Sequence, residues 1–349
     1  MRPLQSTKAW SLPRRALTLL VLALSLGTAA RSAPVPGFSV AADGAATQRG
    51  VLDWLARIQE ASRGRAYAGT FVVAAGGSLS SARIWHVCDG QQQVERVESL
   101  NGPTRSTFRR NDQVLTFLPQ SHVVVVERRE SLGPFAVLTA AAESAVAEHY
   151  AAVAVGQGRV AGFDADVLEL RPRDNWRFGY RVWSEKKSGL VVKLQTLDSA
   201  GKVLEQAAFS ELQLDAPVNM AQLMAMMENT RGYQVEKPLA LETTPSAEGW
   251  VMRQPVAGFK PGSCFRRAAA PLPRAGQAST TQCVYSDGLA SVSLFVEVFD
   301  PLRHARAGYW SLGATHALAR RMGDWWLTVV GEVPLRTLAT FSQGLERSR

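Results

Sequence analysis

The residues with intrinsic chemistry are few and widely spread. Of the cysteines, Cys264 and Cys283 lie nineteen positions apart around the Pro/Ala/Gly-rich stretch 268–278, while Cys88 precedes the turn-forming pair Asp89-Gly90. In an oxidising compartment two thiols of three pair and one is left over. Cys264 and Cys283 fit two strands joined by a loose loop. Such a bridge would stabilise by about 3 kcal/mol through loop entropy, and the sequence leaves the pairing open. Cys88 then reads as a small buried apolar residue. The histidines His86, His122, His149, His304 and His316 stand too far apart for the short intervals of metal sites. There is no G-x-S-x-G elbow, H-E-x-x-H pair, Walker loop or G-x-G-x-x-G turn. The expectation is a protein that is not an enzyme and holds neither metal nor cofactor. A hydrolase whose site is assembled from distant residues stays as an alternative.

Targeting comes from the first thirty residues. Arg2, Lys8, Arg14 and Arg15 precede the apolar run 16–26, and the small residues Gly27, Thr28, Ala29 and Ala30 follow it. That is the layout of a secretory signal peptide over 1–30, with an apolar run too short for a bilayer. Export to the periplasm is expected, with the chain soluble after cleavage. Without those residues the formal charge falls from +9 to +5. This balance suits an acidic partner or an anionic membrane surface and gives no nucleic-acid footprint. The pairs Arg109-Arg110, Arg128-Arg129, Lys186-Lys187, Arg266-Arg267 and Arg320-Arg321 read as solvated faces or strand edges.

The elements that would position a binding site are mostly strands. After a flexible leader, 31–46, Val51, Leu55 and Ile58 recur at helical spacing, with Trp54 widening the face and Thr47 a candidate N-cap. Short strands bounded by Gly, Asn or Pro follow from Tyr67 to Arg128, forming a β-meander. An Ala-rich helical segment between Phe135 and Tyr150 precedes the strands 152–155, 158–161 and 165–172. In 176–184, Trp176, Phe178, Tyr180 and Val182 share one face, and Arg177 and Arg181 take the other. With the hairpins through 198–201 this makes a long antiparallel sheet curled over helices. Asn219 caps a short helix with four methionines, expected to pack on the first domain or face a partner. Residues 235–248, with Pro238 and Pro245, read as the linker and hinge. The second domain runs from about Trp250, through the Ser286-Asp287-Gly288 turn and the apolar strands 290–298 and 325–332, to a helix with Pro334 at N1. The divisions are 47–215, 216–248 and 249–345. The fold class is α+β, mostly antiparallel β, with a smaller α+β domain second.

These residues carry a resemblance. Arg181-Val182-Trp183 through Val192, Leu194, Leu197-Asp198, Gly201 and Leu204-Glu205-Gln206 is similar to the central strands of the RseB/MucB family. Asn101-Gly102-Pro103 with Arg109 to Pro119 also resembles it, as do Tyr285-Ser286-Asp287-Gly288-Leu289 and Val329-Val330-Gly331-Glu332-Val333-Pro334. The resemblance implies a LolA/LolB-like open β half-barrel with helices over an apolar cavity. It implies that the second domain and the groove between the domains grip the periplasmic segment of a membrane-spanning anti-sigma factor of the RseA/MucA type. That grip would shield the segment from site-one proteolysis until lipopolysaccharide or mislocalised lipoprotein releases it. Trp85, Phe108, Phe117, Trp176, Phe178 and Tyr180 are the candidates for an acyl-lined pocket, or else ordinary core aromatics. Tyr285, Ser286, Asp287 and Gly288 are the candidates for the partner contact. A periplasmic lipid or lipoprotein carrier is the alternative function, and the oligomeric state, a homodimer included, is left open.

Overall fold

The structure, a computed structural model, describes residues 44–128, 132, 135, 138, 143–237, 240–267, 279–304 and 306–348. The expected signal peptide, most of the leader, much of the Ala-rich segment before 143, Pro238 and the loop 268–278 lie outside the described residues. The first element is helix α1 (Gly44–Gly64), whose Leu55, Ile58 and Ala61 are buried on one face. Thr47 lies inside this helix rather than capping it, because Ala45 and Ala46 are good helix formers that extend it towards the N-terminus.

The strands then run β1 (Tyr67–Ala75), β2 (Ser78–Cys88), β3 (Gln93–Ser99), β4 (Ser106–Arg110), β5 (Gln113–Leu118) and β6 (Val123–Arg128). Helix α2 (Glu143–His149) leads to β7 (Tyr150–Val160), β8 (Phe163–Pro172), β9 (Gly179–Glu185), β10 (Val191–Leu197) and β11 (Val203–Leu214). Two expected strands at 152–155 and 158–161 are one: β7 continues through Gly156, and a register shift against β8 between Ala154 and Gly156 absorbs Val155. The expected strand 176–184 begins only at Gly179, and Trp176 to Phe178 form its approach.

Strand β11 returns to pair with β1, from Tyr67↔Leu214 to Ala75↔Glu205. Two meanders thus merge into a twelve-stranded open sheet, with β7 at one edge and β12 (Gln234–Glu236) at the other. The sheet curls strongly. Val160 and Ala165, from β7 and β8, share a core with Tyr67, Phe71 and Ile84 of β1 and β2, four or more strands away in the order. Helix α1 fills the curl, with Leu55 and Ile58 against Tyr150, Leu170, Tyr180 and Leu194. On the opposite face, helix α3 (Met220–Glu228), capped by the Asn219 side chain, seats Met227 among Phe108, Leu115, Phe117 and Val124.

The expected linker is tied down at both ends. Strand β12 pairs in parallel with β6, and β13 (Ala240–Glu242) pairs with β15 (Lys260–Arg267) of the second sheet. Both ladders therefore extend to within a few residues of Pro238. The second sheet has the order β13-β15-β16-β17-β20-β19-β18, where β16 is Thr280–Ser286, β17 Ser291–Val298, β18 Gly308–Leu312, β19 Thr315–Met322 and β20 Trp325–Gly331. Strands β14 (Trp250–Met252) and β21 (Leu345–Arg347) form a small ladder beside it. Helix α4 (Leu335–Gly344) covers one face, with Leu338 and Phe341 fully enclosed. Pro334 is its cap residue and not N1, one position earlier than expected. Cys264 and Cys283 stand opposite each other in the β15–β16 ladder and are joined as a disulfide.

Candidate functional site

Side chains alternate across a strand, so the curled sheet has an inner and an outer row. The inner row beyond the reach of α1 lines a cavity of about 680 Å³. Phe71, Val73, Val97, Thr107, Thr116 and Leu118 give it β-branched and apolar walls, and Ser80, Ser99 and Asn101 add polar groups beside the charged Arg105 and Glu127. That volume lies within the range of small-ligand sites, roughly 300–1,000 Å³.

None of the six aromatic candidates lines this cavity. Phe108 and Phe117 alternate with Thr107 and Thr116, so they face outward; their rings meet edge-on at 5.5 Å and pack under Met227. Trp85 is outward as well, between the guanidinium groups of Arg83 and Arg96 at 5.2 and 4.9 Å. Trp176 packs on the core of the second domain, Phe178 meets the His316 ring at 5.5 Å, and Tyr180 is enclosed beneath α1. Period-two alternation separates two faces but does not say which becomes concave. Most residues that line the cavity are Thr, Val and Ser, and Phe71 is the one aromatic among them.

The second feature is the junction between the sheets. Arg177, expected on the strand face opposite the aromatic residues, has a completely buried side chain. Its Nε donates to Asp287 Oδ2 at 2.5 Å, its Nη2 donates to the Ala257 carbonyl at 3.0 Å, and its Nη1 engages Asp174. The other Asp287 oxygen accepts the backbone N–H groups of Leu289 at 2.8 Å and Ala290 at 2.6 Å. Tyr150 donates its hydroxyl to Oδ2 at 3.4 Å. Burial raises the Tyr150 pKa well above the ordinary value, with Tyr180 and the Asp287 charge acting in the same direction, so the phenol keeps the proton it donates. Gly258 makes room for this clamp: a Cβ there would collide with Arg177 Nη2, on a backbone with φ +81°. Thr337 of α4 adds a bond to the Trp176 carbonyl at 2.7 Å.

Asp287 therefore holds its own turn and ties it to the first domain, and Tyr285 is buried in the second core. The turn is an internal joint, so Tyr285 and Asp287 present no side chain to a partner. Ser286 and Gly288 line a cavity of about 490 Å³ at the joint, together with Tyr180, Thr315 and Glu332.

A further buried polar group lies on the inner row. Glu95 binds Arg109 at 2.7 Å, and His86 Nδ1 lies 2.9 Å from the Arg65 carbonyl, its ring stacked on Tyr67 at 4.9 Å. Burial lowers the His86 pKa. Arg109, expected on a solvated face, is thus part of an internal ion pair. Among the described residues no group of three or more His, Cys, Asp or Glu side chains is placed to hold a metal. Among the described residues no helix is long and apolar enough to cross a membrane.

Comparison with known proteins agrees with this layout. Residues 50–227 match the MucB/RseB N-terminal domain and residues 244–346 the MucB/RseB C-terminal domain. The chain is 32% identical over 300 residues to the sigma factor AlgU regulatory protein MucB of Pseudomonas aeruginosa, covering 82% of this chain and 87% of the relative. It is 24% identical over 274 residues to the sigma-E factor regulatory protein RseB of Haemophilus influenzae, covering 76% and 82%. The crystal structure of MucB in complex with MucA(peri) superposes with a TM-score of 0.64 at 27% identity, covering 85% of this chain and 98% of that one. The Pseudomonas aeruginosa MucA/MucB complex gives 0.65 at 27% identity, covering 86% and 99%.

Proposed function

The chain belongs to the MucB/RseB family, and from that premise we propose that it is a periplasmic regulator that binds the periplasmic segment of a membrane anti-sigma factor. The bound segment is withheld from site-one proteolysis, which keeps the envelope-stress sigma factor silent. No chemistry is required of the protein, only occupancy, and we assign it no catalytic role. The observation that carries this reading is the pairing of both family domains in one chain through a buried joint, Arg177 with Asp287. In the relatives of known structure the same two-domain chain is seen with the periplasmic part of MucA.

The release signal is assigned to the inner cavity of about 680 Å³, whose apolar walls suit an acyl chain from lipopolysaccharide or a lipoprotein. If acyl ligand and anti-sigma segment prefer different arrangements of the two domains, each weakens the other by the same factor. The test is calorimetric titration of the chain lacking residues 1–30 with the periplasmic segment of the anti-sigma factor from the same genome, with and without an acyl ligand. Binding weakened by the ligand is expected, and equal affinity in both conditions refutes the coupling. The cavity alone also suits a lipid carrier. Transfer of lipoprotein between vesicles without anti-sigma binding would favour that reading.

A further inference from the structure

Open sheets leave edges, and proteins blunt them with short strands, bulges and charges. In the first sheet, β12 has three residues, and β7 is bulged at Val155 and carries Arg159. In the second, β13 has three residues and ends on Glu242. The remaining edge, β18, has no such protection. Its sequence is Gly-Tyr-Trp-Ser-Leu, it is exposed throughout, and its Tyr309, Trp310 and Leu312 are 68%, 52% and 57% exposed. It pairs only with β19, and its outer backbone edge makes no hydrogen bond among the described residues.

A groove of about 740 Å³ runs beside this edge, walled by Trp310, Ala319, Trp326 and His304, with Arg303 and Arg306 at its rim. The His304 ring stacks on Trp326 at 5.0 Å, which gives the groove a rigid aromatic floor. The charged side chains that line it, Arg303 and Arg306, are both positive. The carboxylates nearby are engaged within the second domain: Glu297 binds Arg303 at 3.1 Å and His304 at 3.0 Å, and Asp300 accepts the Leu302 N–H at 2.9 Å. Arg306 is exposed and has no ion pair among the described residues.

We infer that the outer edge of β18 receives an extended, acidic and apolar segment of the anti-sigma partner as an added strand, its apolar side chains against Trp310 and Trp326 and its carboxylates at Arg306 and Arg303. This rests on the anti-sigma reading above. Strand addition satisfies the open backbone groups while the groove supplies side-chain selectivity. A second copy of this chain is disfavoured, because a two-fold pairing of β18 would bring the arginines together. A five-residue edge also covers much less than the roughly 1,000 Å² of a stable interface. A lipid surface suits exposed Trp, Tyr and Arg, but hydrocarbon cannot satisfy backbone donors and acceptors.

The test is amide hydrogen exchange of the chain lacking residues 1–30, alone and with the synthetic periplasmic segment of the anti-sigma factor. It is paired with affinities of Trp310→Ala and Arg306→Glu, both surface changes whose folding is checked by circular dichroism. Slowed exchange within 308–312 and affinity losses on the order of tenfold for each variant are expected, with the Arg306→Glu loss shrinking at high salt. Binding with protection elsewhere and unchanged variant affinities would overturn the docking site while leaving the anti-sigma reading intact. No binding by the unaltered protein would overturn both. Protection that appears without peptide and rises with protein concentration, or on adding anionic phosphatidylglycerol vesicles, would assign the edge to a second copy or to a membrane and overturn the inference.

Discussion

Replacing Asp287 by Asn probes the joint on which the two-domain account depends. Asn keeps an oxygen for the Leu289 and Ala290 N–H groups, so the turn survives. The change removes the charge opposite Arg177, whose side chain is completely buried. Breaking a buried pair from one side costs about 3–5 kcal/mol. Asp174 stays as a second carboxylate at the part-exposed edge of the cluster, which places the expected loss near the lower end, about 3 kcal/mol. Such a loss is a large fraction of a typical total of roughly 5–15 kcal/mol. Arg177→Met removes the stranded charge, so the double variant should be less destabilised than the sum of the singles, with a coupling of about 2 kcal/mol. Urea unfolding followed by tryptophan fluorescence measures both quantities. Because the pair joins the domains, the single variant should also split one unfolding transition into two. A loss below about 1 kcal/mol, strict additivity, or unchanged cooperativity would refute the reasoning.

Other consequences follow from the same contacts. Gly258→Ala should destabilise by at least about 1 kcal/mol, since it places a Cβ on a left-handed backbone against Arg177 and His149; a neutral result in thermal unfolding would show that the clamp yields. Changing both Cys264 and Cys283 to Ala should cost about 3 kcal/mol in urea unfolding, with no loss if the bridge is absent in solution. His86 is held below its ordinary pKa by burial, so its stabilisation is complete above the unfolded pKa of about 6.5 and fades as the pH falls below it, by up to about 1.4 kcal/mol per pH unit. His86→Gln should flatten the acid side of the stability curve, and an identical slope in the variant would remove the assignment. Thr107→Trp should fill the inner cavity and abolish uptake of a fluorescent fatty acid, whereas Phe108→Ala, on the outer face, should leave uptake intact.

Much of the fold was legible because strands and turns write themselves locally. The run of short strands from Tyr67 to Arg128, the Asn219 cap and the hairpins at 198–201 and 286–288 are set by alternation and turn residues within a few positions. What failed depended on contacts distant in sequence. Arg177 looks like a cation opposite an aromatic face and Arg109 like a solvent-facing one until Asp287 and Glu95, 110 and 14 positions away, bring them inside. Phe108 and Phe117 look like pocket walls because aromatic residues advertise burial, but the direction of sheet curl puts Thr107 and Thr116 in the cavity. Residues 235–248 look like a free linker because two prolines and scattered charges conceal two three-residue strands, each too short to show a period.

The most direct test of the central claim is calorimetric binding of the anti-sigma factor's periplasmic segment to the chain lacking residues 1–30, repeated with saturating acyl ligand. The account predicts saturable one-to-one binding that the ligand weakens. Absence of binding would contradict the account.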